Sequence, residues 1–417
     1  MRYNDSIVLT MIPGMIEHMP EKGAEMNSIS DLRSHMEKML TDQILPYWLS
    51  LTDVEHGGYY GYVSSEGIVD TEGSKGVVMH SRILWTFAAA YQTTKNEAYL
   101  TAAHHAYDFI VNQAMDRKYG GLYWMLDGNG RPLDLFKHAH NQAFGIYALS
   151  TYYLASGKAE ALEQAMRLFS LLEEKWYDGI GYLEQLTRDF KPMSNDELSE
   201  NGIIAERTMN TLLHIVEAYT VLYEVTGDAG VQTALTRAVR QITGPMYNTD
   251  KQRLEVYFDR HFHTILDMHS YGHDMEASWL IDRACDVLGD DALSKAAAPV
   301  TKAMFDHVMR KAFTKRGVYY ESENGEDNMQ RDWWVQAEAM IAIANDMQKY
   351  GDEEGHLIKM YELLDFLHAE VILPCGEWHY STFENGTHDM KREWVGTWKC
   401  PYHNARMCME IMTRFAS

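Results

Sequence analysis

A histidine and a glutamate three residues apart, His273 and Glu276, open the stretch SYGHDMEASWLIDR that runs from Ser270 to Arg283. Apolar Met275, Trp279 and Leu280 recur in it at helical spacing, so it predicts a helix beginning near Tyr271. Residues three apart share a helical face, and an imidazole beside a carboxylate in a first turn can move protons near neutral pH. Similar starts recur along the chain: His80 and Arg82; His138, His140 and Asn141; Asn210 and His214; Trp333, Trp334 and Glu338; Trp398, His403 and Arg406. Histidine stands at five of these six starts, far beyond a random draw of 19 histidines over 417 residues.

The elements that must hold these residues repeat. A first helix is predicted from Ser30 to Leu45, capped by Ser30 and stopped by Pro46. The β-rich run GGYYGYVSSEG (Gly57 to Gly67) follows, then the apolar helix HSRILWTFAAAYQ from His80. The same order of helix, hairpin and apolar helix returns five times. The apolar helices begin near 80, 138, 207, 272, 333 and 402, a period of roughly 65 residues. Three hairpin tips carry Asn-Gly (129–130, 324–325, 385–386), a tight-turn signal. A helix pair cannot bury its apolar face alone, and six pairs can close into a ring with the apolar helices inside. The predicted fold is an all-α (α/α)6 barrel of twelve helices in one domain spanning 26–417, with short β-hairpins around one rim. An open α-solenoid is the competing arrangement. Residues 1–25 are read as a loosely ordered extension, with Met26 as an alternative start.

Each candidate also has a structural reading. His80 and His138 fit as packing residues, His214 as a core histidine one turn inside its helix, and the tryptophans as core. Arg82 among apolar neighbours needs a partner, for which Glu276 is the candidate. No HExxH motif or phosphate-cradling glycine loop is present, so no metal or cofactor is expected. Lys+Arg 37 against Asp+Glu 60 gives a formal charge of −23, which excludes the basic field that nucleic acid or an anionic membrane would need. No run reaches the ~18 apolar residues of a membrane span. The four cysteines show no CxxC spacing, so free thiols and a cytoplasmic location are expected.

The segments HSRILW (80–85), SYGHDMEASWL (270–280), WWVQAEA (333–339) and GTWKCPYHNARMCME (396–410) resemble those of the cellobiose 2-epimerases, within the N-acylglucosamine 2-epimerase superfamily. The likeness covers nearly everything from about residue 28 onward. It implies an (α/α)6 barrel, a monomer, and inversion at C2 of the reducing-end glucose of β-1,4-linked disaccharides (cellobiose, mannobiose or lactose) without metal or nucleotide. It further implies His273 and His403 as the two bases, acting through a cis-enediolate, with His214 and Arg82 at O1 and O2. Glu276 would orient His273 or the sugar, and Asn210, Trp333, Trp334, Trp398, Tyr123 and Asn141 would bind it. Other chemistries on the same barrel are an aldose–ketose isomerase or N-acylglucosamine 2-epimerase of the superfamily, and an inverting glycosidase using Glu276 and Glu338. The last needs carboxylates about 6.5–9.5 Å apart. A non-catalytic sugar-binding barrel is the remaining class.

Overall fold

The computed structural model describes residues 28–195, 203–352 and 355–416. The expected N-terminal extension and the alternative start at Met26 lie outside the described residues. Twelve helical runs are present among them: α1 (29–50), α2 (Val77–Thr94), α3 (97–114), α4 (Ala139–Ser156), α5 (Ala159–Lys175), α6 (Met209–Thr226), α7 (Ala229–Thr243), α8 (Tyr271–Leu288), α9 (Asp291–Lys311), α10 (Trp333–Tyr350), α11 (356–371) and α12 (Tyr402–Arg414). None is long and apolar enough to cross a membrane.

Burial separates two layers. From Ala139 to Tyr152 every residue of α4 is buried, whereas α7 buries only the stripe Val231, Ala234, Leu235, Ala238, Val239 and Ile242. The even-numbered helices pack in the order α2, α4, α6, α8, α10, α12, and α12 returns to α2. That closure makes the fold the expected (α/α)6 barrel rather than an open solenoid. At the end away from the hairpins, α6 stops at Gly227 (φ 61°) and α8 at Gly289 (φ 63°), the left-handed turn that glycine adopts most readily. Asp228 and Asp290 follow at once, each accepting two backbone N–H bonds at the start of the next outer helix. Such two-residue links keep the inner and outer helices antiparallel.

The opposite end is a ring of short strands. The residues entering each inner helix pair with the hairpin of the following unit: 75–76 with 125–126, 137–138 with 185–186, 207–208 with 257–258, 268–270 with 321–323, and 331–332 with 381–382. A bridge between Val63 and Val395 closes this ring as α12 and α2 close the helical one. Of the Asn-Gly tips, Asn324-Gly325 is a two-residue turn with both residues at positive φ, while at 129–130 and 385–386 only the glycine is.

A second repeated device clamps helix to hairpin. The fourth residue of α2, α4, α8 and α10 bonds the backbone of the hairpin before it: His80 Nε2 accepts from Tyr59 N at 3.0 Å, Gln142 Oε1 from Leu122 N at 2.7 Å, Asp274 Oδ1 from Leu254 N at 3.2 Å, and Gln336 Oε1 from Val318 N at 2.8 Å. His80 therefore belongs to the scaffold.

The first helix differs from its expected form. Ser28, not Ser30, caps it, accepting from Asp31 N. Nor does Pro46 end it. A π-helical turn over Met39–Ile44 shifts the bonding by one residue, and Pro46 then falls in the first turn of the resumed segment Leu45–Ser50, where its missing N–H is not needed.

Candidate active site

Inside the rim, α6, α8, α10 and α12 contribute a buried cluster of three carboxylates around one guanidinium. Arg406 donates through Nη1 to Glu217 and through Nη2 to Glu276 and to Glu338, the last at 2.6 Å. The Tyr402 hydroxyl also bonds Glu217, and Trp279 Nε1 donates to Glu338 at 3.0 Å. All four charged groups are buried, a setting in which each must be paired. Burial pushes the Glu338 carboxyl up with Arg406 opposing it. At Glu217, Arg406, His214 and Tyr402 outweigh burial and hold the carboxyl below its usual range.

Two imidazoles stand on this cluster. Nδ1 of His403 lies 2.7 Å from Glu338 Oε1, and Nδ1 of His214 lies 2.9 Å from Glu217 Oε2. A carboxylate can only accept, so each Nδ1 carries a proton; on a neutral ring that leaves Nε2 as the acceptor. His273 is held differently, with Nδ1 2.7 Å from the Ser270 hydroxyl. Neither His273 nor His403 uses Nε2 in a hydrogen bond among the described residues. Their rings meet on Trp334, at 4.7 Å for His273 and 5.5 Å for His403. Burial pushes His273 down to about 4 and His403 well below the ordinary histidine value, so both are neutral at pH 7.

Arg82 sits on the rings of Phe144 (4.2 Å) and Tyr402 (5.0 Å) and donates to the Trp398 carbonyl at 3.4 Å. No carboxylate lies within ion-pair distance of it among the described residues. The expected partner, Glu276, is taken by Arg406 because that guanidinium lies deeper, between the carboxylates of three helices. The hydrogen bond to His273 comes from Ser270 rather than from Glu276, whose charge still acts on that ring. Among the described residues the other Glu276 oxygen, Oε2, has no hydrogen-bond partner, nor do buried Asn210 Oδ1, Asn141 Oδ1 and both nitrogens of His140. These are donors and acceptors available to a hydroxyl-rich ligand.

The remaining expected residues are distributed as follows. Trp334 and Trp398 are part-exposed at the site, and Trp398 packs on His140 at 5.5 Å. Trp333 is buried behind them, edge-on to His403 at 5.4 Å and covering Lys399 Nζ at 4.3 Å. Asn141 donates to the Tyr123 carbonyl at 2.7 Å, and the Tyr123 hydroxyl accepts from Arg188 at 3.0 Å. His138 caps α4 and bonds Asn195 at 3.1 Å, so it is structural like His80. Sequence reasoning missed Glu217, Ser270, Tyr402 and Phe144. A signal for Glu217 was present: HIVE (214–217) has the spacing of HDME (273–276).

Ligand atoms of Glu276, Glu338 and His403 lie within 4.8 Å of one another, a metal-like grouping. Arg406 is the cation there, bonded to both carboxylates, and a divalent ion would have to displace it. The same geometry weighs against an inverting glycosidase: these oxygens are nearer than the about 6.5–9.5 Å such a pair needs, and both are engaged by the guanidinium.

Comparison with known proteins agrees with this architecture. The family model for N-acylglucosamine 2-epimerase (GlcNAc 2-epimerase) matches residues 58–406. A cellobiose 2-epimerase of Ruminococcus albus is 44% identical over 384 residues, covering 91% of this chain and 98% of that protein. One of Eubacterium cellulosolvens is 39% identical, covering 90% and 96%. The solved structure of cellobiose 2-epimerase from Bacillus thermoamylovorans superposes with a TM-score of 0.89 at 39% identity, covering 92% of this chain and all of that one, 100%. By the extent of the model match and the identity to these relatives, the chain belongs to the N-acylglucosamine 2-epimerase family.

Proposed function

We propose that the chain is a cellobiose 2-epimerase, a carbohydrate epimerase that interconverts cellobiose and glucosyl-mannose. The observation that carries this reading is the pair of neutral imidazoles, His273 and His403, which meet on Trp334 with each Nδ1 engaged and each Nε2 uncommitted. The hydrogen on C2 of an open-chain aldose is weakly acidic because the neighbouring carbonyl takes up the charge. Inversion requires removal on one face and return on the other. Two uncharged imidazoles, one for each face, can meet that need, since each can take up a proton and release it again.

In this reading one imidazole takes the C2 proton through Nε2, leaving a cis-enediolate. Rotation about C2–C3 presents the other face, and the second imidazole, having taken a proton from solvent at Nε2, delivers it to C2 while the first returns its own to solvent. His403 is assigned to the gluco substrate, because the Glu338 carboxylate behind it stabilises the imidazolium that forms. Arg82, which lacks a carboxylate partner, faces the charge developing on O1 and O2, and His214 assists ring opening there. Trp334 and Trp398 stack on the sugar rings. Asn210, Asn141, Tyr123 and the free oxygen of Glu276 bond their hydroxyls, while Trp333 supports His403 from behind. Mannobiose and lactose share the reducing-end geometry and fit the same scheme.

The test is incubation of the purified protein with cellobiose at neutral pH and identification of the product by NMR. Glucosyl-mannose is expected. Glucosyl-fructose would move the protein to the aldose–ketose isomerases, and free glucose would make it a hydrolase.

A further inference from the structure

Among the described residues Arg406 is the one group bonded to the carboxylates behind both His214 and His403. The chain runs from His214 Nδ1 to Glu217, through the two arms of the guanidinium, to Glu338 and His403 Nδ1. We propose that Arg406 is a positioning residue that sets the tautomer of His403 by keeping Glu338 ionised. This rests on the reading of His403 as a base at C2.

The argument is one of charge and donors. Three buried carboxylates converge on this point, and Arg406 is the cation bonded to all three. The groups facing Glu338 are His403 and Arg406 from α12, Trp279 and Glu276 from α8, and Glu217 from α6. Of these, Trp279 donates a neutral hydrogen bond and the two glutamates repel a charge on Glu338. Without the guanidinium, the cheapest way to relieve three buried carboxylates is for one to take up a proton. Glu338 is the candidate, because burial already pushes it upward while Glu217 retains His214 and Tyr402. A protonated Glu338 donates to His403 Nδ1 instead of accepting from it. The imidazole then carries its proton on Nε2 and has no lone pair for the C2 hydrogen. Loss of Arg406 thus disables His403 through its tautomer, without touching the sugar.

The test uses the full chain with Arg406→Met and Arg406→Lys, each checked for folding by circular dichroism and thermal unfolding. Arg406→Met is expected to lower kcat for cellobiose at pH 7 by about 100-fold, the usual worth of a placed general base, with KM within about threefold. The acid limb of its kcat profile should move up by about one pH unit or more, because activity returns only where Glu338 ionises. Arg406→Lys should restore part of kcat and return the limb toward wild type. A folded Arg406→Met with the wild-type profile overturns the inference, and so does a kcat loss equal at every pH, which would mark a packing role only. A readout independent of activity is the imidazole 15N spectrum of the wild-type protein, with His403 assigned through His403→Gln. Protonated Nδ1 and bare Nε2 are expected; the reverse tautomer overturns the inference even if no Arg406 variant folds. If the wild type fails to epimerise cellobiose while the Nδ1-protonated tautomer of His403 is present in it and reversed in a folded Arg406→Met, the proposed function falls and the effect of Arg406 on the tautomer stands.

Discussion

Nδ1 of His403 lies 2.7 Å from a buried carboxylate oxygen of Glu338, whereas the Nδ1 of His273 has only the hydroxyl of Ser270 at the same distance. The two imidazoles that meet on Trp334 are therefore unequal. An imidazolium at His403 gains a charged partner and one at His273 a neutral partner. Replacing Glu338 by Gln keeps the shape and removes the charge, so kcat from cellobiose should fall by about 100-fold or more with KM little changed. Ser270→Ala should cost less, on the order of tenfold, because a neutral hydrogen bond holds the ring less firmly. Steady-state kinetics in both directions check the ordering; equal losses would contradict it.

Arg82 lies in an aromatic setting without a carboxylate partner, so it costs stability that its task must justify. Arg82→Met should unfold at the same temperature as wild type or a few degrees higher, while kcat drops by about 10²–10³-fold, the effect of losing an oxyanion donor. A calorimetric scan beside a rate assay reads both. A large fall in melting temperature would mean that Arg82 is structural.

Several buried histidines are neutral in the folded protein. Burial pushes His80, His138 and His273 down to about 4, and His403 and His140 well below the ordinary histidine value, against about 6.5 in the unfolded chain. Between these values the unfolded state binds more protons than the folded one. The stability these groups contribute is thus fully present above pH 6.5 and is lost as pH falls toward 4. The melting temperature should hold between pH 7 and 8 and decline steadily from pH 6 to 4.5. A flat profile over that interval would refute the assignment.

His80 offers a sharper version, because Gln142 and Gln336 perform the same clamp in other units. His80→Gln should fold with activity near wild type and a shallower loss of stability below pH 6.5. His80→Leu leaves the Tyr59 N–H without a partner and should cost roughly 2–3 kcal/mol. Urea unfolding at pH 7.5 and 5.5 measures both variants.

Gly272 precedes His273, and a Cβ there would come within 2.5 Å of the Trp334 ring. Gly272→Ala should push Trp334 from its place against both imidazoles and raise KM for cellobiose about tenfold or more. An unchanged KM would separate Trp334 from sugar binding.

The barrel was legible because its signals are local and repeated. Six apolar helices at a common period, glycine-rich hairpins and Asn-Gly tips all report the same unit, and the structure begins each inner helix within three residues of its expected start. The α1 end was misread because proline marks a helix stop only while the i→i−4 pattern holds, and a π turn removes that condition. The rim was legible in part. Histidine enrichment pointed to one end of the barrel, where the structure gathers His214, His273 and His403, yet it mixed two populations. His80 and His138 hold backbone, and nothing in their spacing separates them from His273 or His403. Partner choice was the least accessible feature. HIVE and HDME share one spacing, and only in the first does the glutamate reach its own histidine. In the second, Arg406 from α12 claims Glu276 across the barrel, and a contact between residues so far apart in sequence leaves no local mark.

The central claim is that C2 exchanges its hydrogen with protein bases. Its most direct test is epimerisation of unlabelled cellobiose in D2O, stopped at low conversion, with the isotope at C2 of the product read by NMR and mass spectrometry. Proton transfer by His273 and His403 predicts glucosyl-mannose carrying solvent deuterium at C2, with the unreacted cellobiose still largely protiated. Glucosyl-mannose that retains the original hydrogen at C2 would contradict it.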